Sequence, residues 1–113
     1  MDAADVRPKD WLWDENYPVK VLFDDGEYSA IWGKYQDQPA LGVRWNGGTD
    51  RGYPGQGGHP TWYVEPDFIA VTILHRLFTS AIETGNSDHM ENIQIAIREL
   101  RSKMTAANQK TSI

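Results

Sequence analysis

The sequence contains no cysteine, which excludes disulfide bonds, thiolate nucleophiles and every metal site built on cysteine. No apolar run approaches the roughly 18 residues of a membrane span. The amino-terminal stretch MDAADVRPKD also lacks the apolar segment of a secretion signal. These absences predict a soluble cytoplasmic protein without a membrane partner, and 113 residues fit a single domain with its own core.

A basic stripe is missing as well. Residues 1–66 carry eleven Asp or Glu against six Lys or Arg, residues 67–113 carry five of each, and the net charge is −5. Because binding to a phosphate backbone requires a basic face, we do not expect nucleic acid as a partner. The acidity leaves one minor alternative open, a nucleic-acid mimic or acidic protein inhibitor.

Motifs of cofactor and metal sites are absent too. The glycine-rich segment contains neither the phosphate-binding pattern G-x-x-x-x-G-K-[ST] nor G-x-G-x-x-G opening a helix. No serine has a G-x-S-x-G context, and the histidines His59, His75 and His89 do not have zinc-site spacing. We therefore expect no cofactor and no metal, and the sequence does not favour an enzyme.

The first half of the chain predicts a β-meander. Alternating apolar and β-branched residues indicate four strands, at residues 17–23, 27–35, 40–45 and 61–64. Turn residues separate them, with Asp24-Asp25-Gly26 after the first strand and residues 36–39 after the second. Before the sheet, Trp11 and Trp13 are expected to dock a polar arm.

After Pro66 the apolar period becomes helical. Asp67 is a candidate N-cap, residues 68–82 read as a helix that is nearly buried all round, and Gly85 is a candidate C-terminal cap. Asn86 or Ser87 should cap a second helix with an apolar stripe at Met90, Ile93, Ile97, Leu100 and Met104. The predicted fold is α+β, a four-stranded antiparallel meander followed by two C-terminal α-helices. Its predicted parts are a flexible arm (1–10), a single domain (11–104) and a flexible tail (105–113).

Apolar content predicts self-association, most simply as a dimer. The chain has five Trp, five Tyr and three Phe, together with two helices rich in apolar residues. One sheet face cannot cover that much nonpolar surface, so some of it should lie between subunits. The stripe of the second helix, from Met90 to Leu100, is the candidate interface.

The segment around residues 42–66 is the candidate site. Residues 46–60 contain six glycines and two prolines, which is too long and too interrupted for an ordinary hairpin connection. Polar and aromatic side chains in and beside it are predicted to converge on one concavity that receives a small molecule or a protein partner. These ligand-binding candidates are Arg44, Trp45, Asn46, Tyr53, Gln56, His59 and Trp62.

Two questions stay open at this point. Arg44 either faces solvent, the commoner case for a strand arginine, or offers its donor fork to an anionic ligand or to a carboxylate of the protein. The loop either contacts a ligand or is a structural connection fastened by Tyr53 and Trp62. The main hypothesis is a non-catalytic binding or adaptor protein, and the alternative is a small enzyme that uses His59 as acid or base, with Glu65, Asp50 or Asp25 as partner.

Three segments carry a resemblance to a known class of proteins. FDDGEYSAIWG (23–33), GVRWNG (42–47) and GYPGQGGHPTWYVEPDF (52–68) resemble small uncharacterised bacterial proteins carried on mobile gene cassettes such as those of integrons. The resemblance implies a compact α+β protein that commonly self-associates and has no established activity. It supplies no functional residues.

Overall fold

The computed structural model describes residues 17–47, 52–56, 59–60 and 62–111. The predicted arm with Trp11 and Trp13 lies outside them. The architecture is α+β, as predicted, with a four-stranded antiparallel sheet followed by two helices. In chain order the elements are β1 (Lys20–Asp24), β2 (Tyr28–Tyr35), β3 (Gln38–Trp45), β4 (Gly55–Gln56), β5 (His59–Pro60), β6 (Tyr63–Glu65), α1 (Asp67–Thr84) and α2 (Ser87–Thr111).

The main sheet has the strand order β1-β2-β3-β6, and β4 and β5 form a separate two-stranded hairpin that the sequence did not predict. Between β2 and β3, Gln36 and Asp37 have φ values of 50° and 64°. Positive φ at both central residues is what the type I′ turn of a two-residue hairpin requires. This turn sets the register, with Tyr35 opposite Gln38 at one end and Tyr28 opposite Trp45 at the other.

Each helix end has an identifiable cause. Pro66, rather than the expected Asp67, occupies the N-cap of α1, and no side chain caps that end. Gly85 ends α1 in the left-handed conformation at φ 68°, as predicted, and Asn86 caps α2 by accepting a hydrogen bond from the His89 N–H at 3.0 Å. The second helix continues past Met104 to Thr111, since no glycine or proline interrupts it.

Both helices pack on the same face of the sheet, called here the helix face. The core between them contains side chains of β1, β2, β3 and both helices: Leu22, Ala30, Trp32, Leu41, Val43, Ala70, Leu74, Ala81, Ile93, Ala96 and Leu100. The prediction that the first helix is nearly buried all round is wrong, because Phe68, Ile69 and Ile82 are exposed. A helix that packs on one side of a sheet buries one stripe and leaves its outer side in solvent.

The predicted dimer interface is also wrong. Ile93 and Leu100 are fully buried within the chain, and Met90 and Ile97 pack against the same core. The apolar stripe of α2 is therefore used to fold the monomer and is not available to a second subunit. Neither helix is long and apolar enough to cross a membrane within the described part of the chain.

The opposite face of the sheet, called here the loop face, has a smaller apolar cluster. Ile31 and Trp62 are buried there, and Val19, Val21, Tyr35 and Val64 pack against them. Trp62 precedes β6 in the chain, so the glycine-rich segment ends with a ring that covers Ile31. The loop face is thus partly closed by the segment that was predicted to form the site.

Candidate functional site

Strand alternation divides the predicted site between the two faces of the sheet. Successive side chains of a strand point to opposite sides. Val43 belongs to the core of the helix face, so Trp45 points to that face, whereas Arg44 points to the loop face. Asn46 follows β3 and is buried against Ser29, the residue opposite Arg44. The predicted convergence of these residues with Trp45 on one concavity is therefore wrong.

Arg44 is a buried residue of the loop face, with only 1% of its surface exposed, so the solvent-facing alternative is wrong. Its guanidinium carbon lies 5.9 Å from the ring centroid of Trp62, and Nη1 donates to the carbonyl oxygen of Pro54 at 3.4 Å. Desolvation by burial lowers the pKa of this guanidinium from its ordinary value. The donor fork thus contacts the glycine-rich segment itself.

Asn46 closes the end of β3 through a buried polar network. Its Nδ2 donates to Ser29 Oγ at 2.8 Å and to Asp24 Oδ1 at 3.3 Å, and its Oδ1 accepts from Ser29 Oγ at 3.0 Å. The Asn46 backbone N–H donates to the Glu27 carbonyl at 2.7 Å. Buried polar groups are retained when they are satisfied in this way. The network joins the β1–β2 turn to the start of the glycine-rich segment.

The glycine-rich segment returns to the sheet at Tyr53. Trp45 and Tyr53 exchange two backbone hydrogen bonds, of 2.7 and 2.9 Å. Gly52, with φ 73°, allows this approach, because a Cβ atom there would lie 2.0 Å from the Trp45 carbonyl oxygen. The peptide bond between Tyr53 and Pro54 is cis. The interpretation of a loop fastened by Tyr53 and Trp62 agrees with these contacts.

An aromatic row, consisting of Tyr28, Trp45 and Tyr53, crosses the helix face at the end of β3. Trp45 is directly opposite Tyr28 on one side and Tyr53 on the other. Residues opposite each other in an antiparallel pair present their side chains on the same face. The rings of Tyr28 and Trp45 meet edge to face with centroids 4.8 Å apart, yet Trp45 is 56% exposed and Tyr53 is 70% exposed.

The β1–β2 turn beside Tyr28 is rich in carboxylates. The turn Asp24-Asp25-Gly26-Glu27 leads directly into Tyr28. Backbone N–H groups of Tyr28 and Glu27 donate to Asp25, which holds the pKa of that carboxyl below its usual value. Burial, and secondarily the charge of Glu65, raises the pKa of Tyr28. A negative charge, that of Glu65, therefore acts on Tyr28.

Gln56 and His59 pair with each other through the backbones of β4 and β5. Their side chains lie outside the described residues, as does Asp50. Asp25, another suggested partner of His59, is engaged in the β1–β2 turn. The acid–base role of His59 therefore stays a prediction. Among the side chains that the structure describes, no group of three or more potential ligands could hold a metal ion.

A second polar cluster was missed at the sequence level. Glu99 of α2 accepts hydrogen bonds through Oε1 from the Tyr17 hydroxyl and from Trp32 Nε1, the latter at 2.8 Å. Trp32 Nε1 also lies 3.0 Å from the Tyr17 oxygen. Desolvation, and then the hydrogen bond with Glu99, raises the pKa of Tyr17. These partners are 67 and 82 residues apart from Glu99 in the chain, so no local pattern indicates them.

Glu99 also lines an open cleft of about 770 Å³ between α2, the start of α1 and the start of β3. Lys103 bridges this cleft, donating to Asp67 at 3.0 Å and to the Pro39 carbonyl at 2.9 Å. The cleft adjoins the end of the sheet where β3 begins, and the aromatic row is at the end where β3 stops. The two features are therefore separate candidates.

The aromatic row itself could have been found from the sequence. Tyr28 precedes Tyr35 by seven residues on β2, and Trp45 follows Gln38 by seven residues on β3, so both rings are equally far from the turn. A two-residue turn at Gln36 and Asp37 therefore brings both rings opposite each other. The prediction of a longer turn over residues 36–39 concealed this pairing.

In comparisons with known proteins, no family model, no curated protein and no solved structure matches this chain.

Proposed function

We propose that this protein is a non-catalytic binding module that engages a protein partner through the aromatic row. The observation that carries the proposal is the exposure of Trp45 and Tyr53, at 56% and 70%, on backbones that exchange two hydrogen bonds with each other. Tryptophan and tyrosine are over-represented among the side chains that dominate binding energy at protein interfaces. A pair of such rings left in solvent is a feature that a partner would cover.

The backbone that carries the exposed rings is held in place before any partner arrives. Tyr28 packs against the Trp45 ring, and the Trp45–Tyr53 backbone pair holds the two exposed residues next to each other. Ordering of side chains and loops on binding typically costs about 0.5–1.5 kcal/mol for each immobilised side chain. Because the backbone is already held here, binding avoids the part of that cost that comes from ordering a loop. A sheet is therefore a favourable support for such rings, because its backbone does not have to be ordered when a partner binds.

In this proposal the other predicted site residues support the surface. Arg44, which lies against the Trp62 ring, donates to the carbonyl of Pro54, and Pro54 is the neighbour of Tyr53. Asn46 ties the adjoining turn to the end of β3. The glycine-rich segment thus packs on the loop face and positions Tyr53, and binding occurs on the helix face.

Selection from a displayed peptide library on the wild-type protein tests the proposal. Selected peptides should bind Trp45→Ala at least about tenfold more weakly, because loss of a dominant interface side chain costs about 2 kcal/mol or more. Phe68→Ala is the matched control, since Phe68 is an exposed ring of 72% accessibility on α1. Equal affinity for wild type and Trp45→Ala, or an equal loss in Phe68→Ala, contradicts the proposal.

Self-association and cellular location are separate parts of the proposal. With the α2 stripe buried, a dimer interface would have to use other apolar side chains, of which Phe68 and Ile82 on α1 are exposed. Sedimentation of wild type and of the Phe68→Ser/Ile82→Ser double variant tests this, and a wild-type monomer at high micromolar concentration contradicts it. We also propose a cytoplasmic location, with which the absence of cysteine is consistent.

A further inference from the structure

We infer that this protein binds a small organic acid with an apolar body in a groove between its two helices. This helix groove has a volume of about 630 Å³, and the described residues that line it all belong to α1 and α2. Arg98, Arg101 and the protonatable His75 line it together with the apolar side chains of Phe78 and Ile97. The groove shares no residue with the aromatic row, so the inference goes beyond the proposed function and does not depend on it.

Two arginines of α2 place their charges side by side in the helix groove. Arg98 and Arg101 are three positions apart, which makes them neighbours on the helix surface, so their positive charges repel each other. Both side chains are exposed, and neither guanidinium group has a hydrogen bond or an ion pair with any residue that the structure describes. An anion that contacts both groups would remove this repulsion.

The carboxylates closest to these arginines in the fold have other partners. Glu99 follows Arg98 in the chain, but it accepts hydrogen bonds from Tyr17 and Trp32 on the sheet side of α2. Asp67, at the start of α1, accepts a hydrogen bond from Lys103 at 3.0 Å. Neither carboxylate lines the helix groove.

The remaining carboxylates of the two helices lie toward the turn that joins them. Asp88 and Glu91 precede Arg98 by ten and seven residues, so the nearer one is about 10 Å away along the helix. Glu83 follows His75 by eight residues, which is about 12 Å. None of the described residues that line the groove carries a carboxylate, so the charge of its lining is positive.

The apolar part of the groove comes from one residue of each helix. Phe78 of α1 and Ile97 of α2 are half-buried and pack against the core, and both also line the groove. They provide an apolar surface beside the two guanidinium groups. Sites for small molecules typically have volumes of about 300–1,000 Å³ and combine an apolar lining with a few polar groups that fix the orientation of the ligand. The helix groove has this composition and size.

This combination favours an amphipathic carboxylate as the occupant. The planar donor fork of a guanidinium group matches the two oxygens of a carboxylate. A small inorganic anion would leave Phe78 and Ile97 uncovered, and a neutral apolar ligand would leave the charges of Arg98 and Arg101 uncompensated. An organic acid with an apolar body satisfies both parts of the groove.

Amide chemical shifts of the wild-type protein can be followed during titration with three probes. Octanoate has a carboxylate and an apolar chain, octanamide has a similar chain without the charge, and acetate has the charge without the chain. We expect octanoate to shift the amides of residues 75–78 and 97–101. Its affinity should be at least about tenfold higher than that of either other probe, which corresponds to about 1.4 kcal/mol. Equal affinities, or no shift of these amides by millimolar octanoate, overturn the inference.

A charge-removing variant identifies the groups that recognise the carboxylate. The double variant Arg98→Gln/Arg101→Gln keeps polar side chains and removes both charges. It should bind octanoate at least about tenfold more weakly and lose the preference for octanoate over octanamide. Arg76→Gln is the matched control and should bind as the wild type does, because Arg76 is an exposed arginine of α1 outside the groove lining. Unfolding temperatures without ligand show whether the variants are folded. A folded double variant that still prefers octanoate overturns the inference.

Other occupants give different results with the same amides. If octyl phosphate binds at least about tenfold more tightly than octanoate, the groove recognises a phosphate and the carboxylate inference is overturned. An acidic amphipathic helical peptide that shifts these amides when octanoate does not would assign the groove to a protein segment, which also overturns it. Trp45→Ala should bind octanoate as the wild type does. Loss of octanoate binding in that variant would contradict a site separate from the aromatic row, whereas failure of the proposed function leaves the octanoate result unchanged.

Discussion

Arg44 and Trp45 are adjacent in the sequence and occupy opposite faces of the sheet. Arg44 is buried beneath Trp62 on the loop face, whereas more than half of the Trp45 surface is open to solvent on the helix face. The two faces of β3 therefore differ in their accessibility. One residue fastens the glycine-rich segment, and the next presents an exposed ring.

Replacing Arg44 tests its structural role. Arg44→Ala should lower the free energy of unfolding by about 2–4 kcal/mol, because it removes a buried side chain and leaves polar groups of the loop face unsatisfied. Urea denaturation measures the change. Arg101→Ala on the exposed side of α2 is the control and should change stability by less than about 0.5 kcal/mol. A loss no larger than that of the control would show that Arg44 does not hold the loop.

Gly52 gives a second test of the fastened loop. Gly52→Ala should destabilise the protein by about 2–5 kcal/mol, for two reasons. The new Cβ would collide with the Trp45 carbonyl oxygen, and the alanine backbone would have to adopt the left-handed φ of Gly52. Gly26→Ala is the matched control, because Gly26 also has a positive φ and nothing lies within 4 Å of its Cβ position. It should lose only about 1 kcal/mol. Equal losses in thermal or chemical unfolding would mean that the approach of Tyr53 to Trp45 is not tight.

The buried pair of Ser29 and Asn46 should behave as one unit. Each single substitution to alanine leaves a buried polar partner unsatisfied and should cost about 1–3 kcal/mol. The double variant should lose less than the sum, with a coupling of about 0.5–3 kcal/mol. Unfolding free energies of the four proteins in the cycle give this coupling directly. Strict additivity would mean that the two side chains do not interact.

Alkaline pH should destabilise the protein through Tyr17. Burial and Glu99 raise the pKa of Tyr17 in the folded state, so the folded state holds the phenolic proton more tightly than the unfolded chain does. The associated stability is fully present below about pH 10, the unfolded value, and decreases as the pH rises above it, with a slope of up to about 1.4 kcal/mol per pH unit. Tyr28, whose pKa is also raised, adds to the effect.

The comparison of wild type with Tyr17→Phe isolates that contribution. Phenylalanine cannot ionise, so the loss of stability above pH 10 should be shallower in the variant, as measured by urea unfolding at a series of pH values. Tyr53→Phe is the control, because Tyr53 is exposed. Parallel curves for wild type and Tyr17→Phe would rule out a coupling of the Tyr17 proton to folding.

Local patterns were sufficient for most of the secondary structure. Alternation predicted the strands, and the change of period after Pro66 predicted both helices. Gly85 was identified as the helix end because only glycine enters the left-handed region at little cost. The wrong predictions concern which side chains are buried, because burial depends on packing between residues far apart in the chain. Exposure of Phe68 and burial of Ile93 depend on which side of each helix meets the sheet, and both helices are apolar enough to allow several orientations.

The sequence by itself determined the α+β class, the order of the elements and the concentration of aromatic and glycine residues before Pro66, because these follow from local backbone preferences and side-chain period. Tertiary structure alone decided which of those residues share a surface. Arg44, Asn46 and Trp62 are buried because the glycine-rich segment packs on one face, whereas Trp45 and Tyr53 stay accessible because the helices leave that corner of the other face open. A linear pattern cannot specify that outcome, since it depends on contacts between residues far apart in the chain.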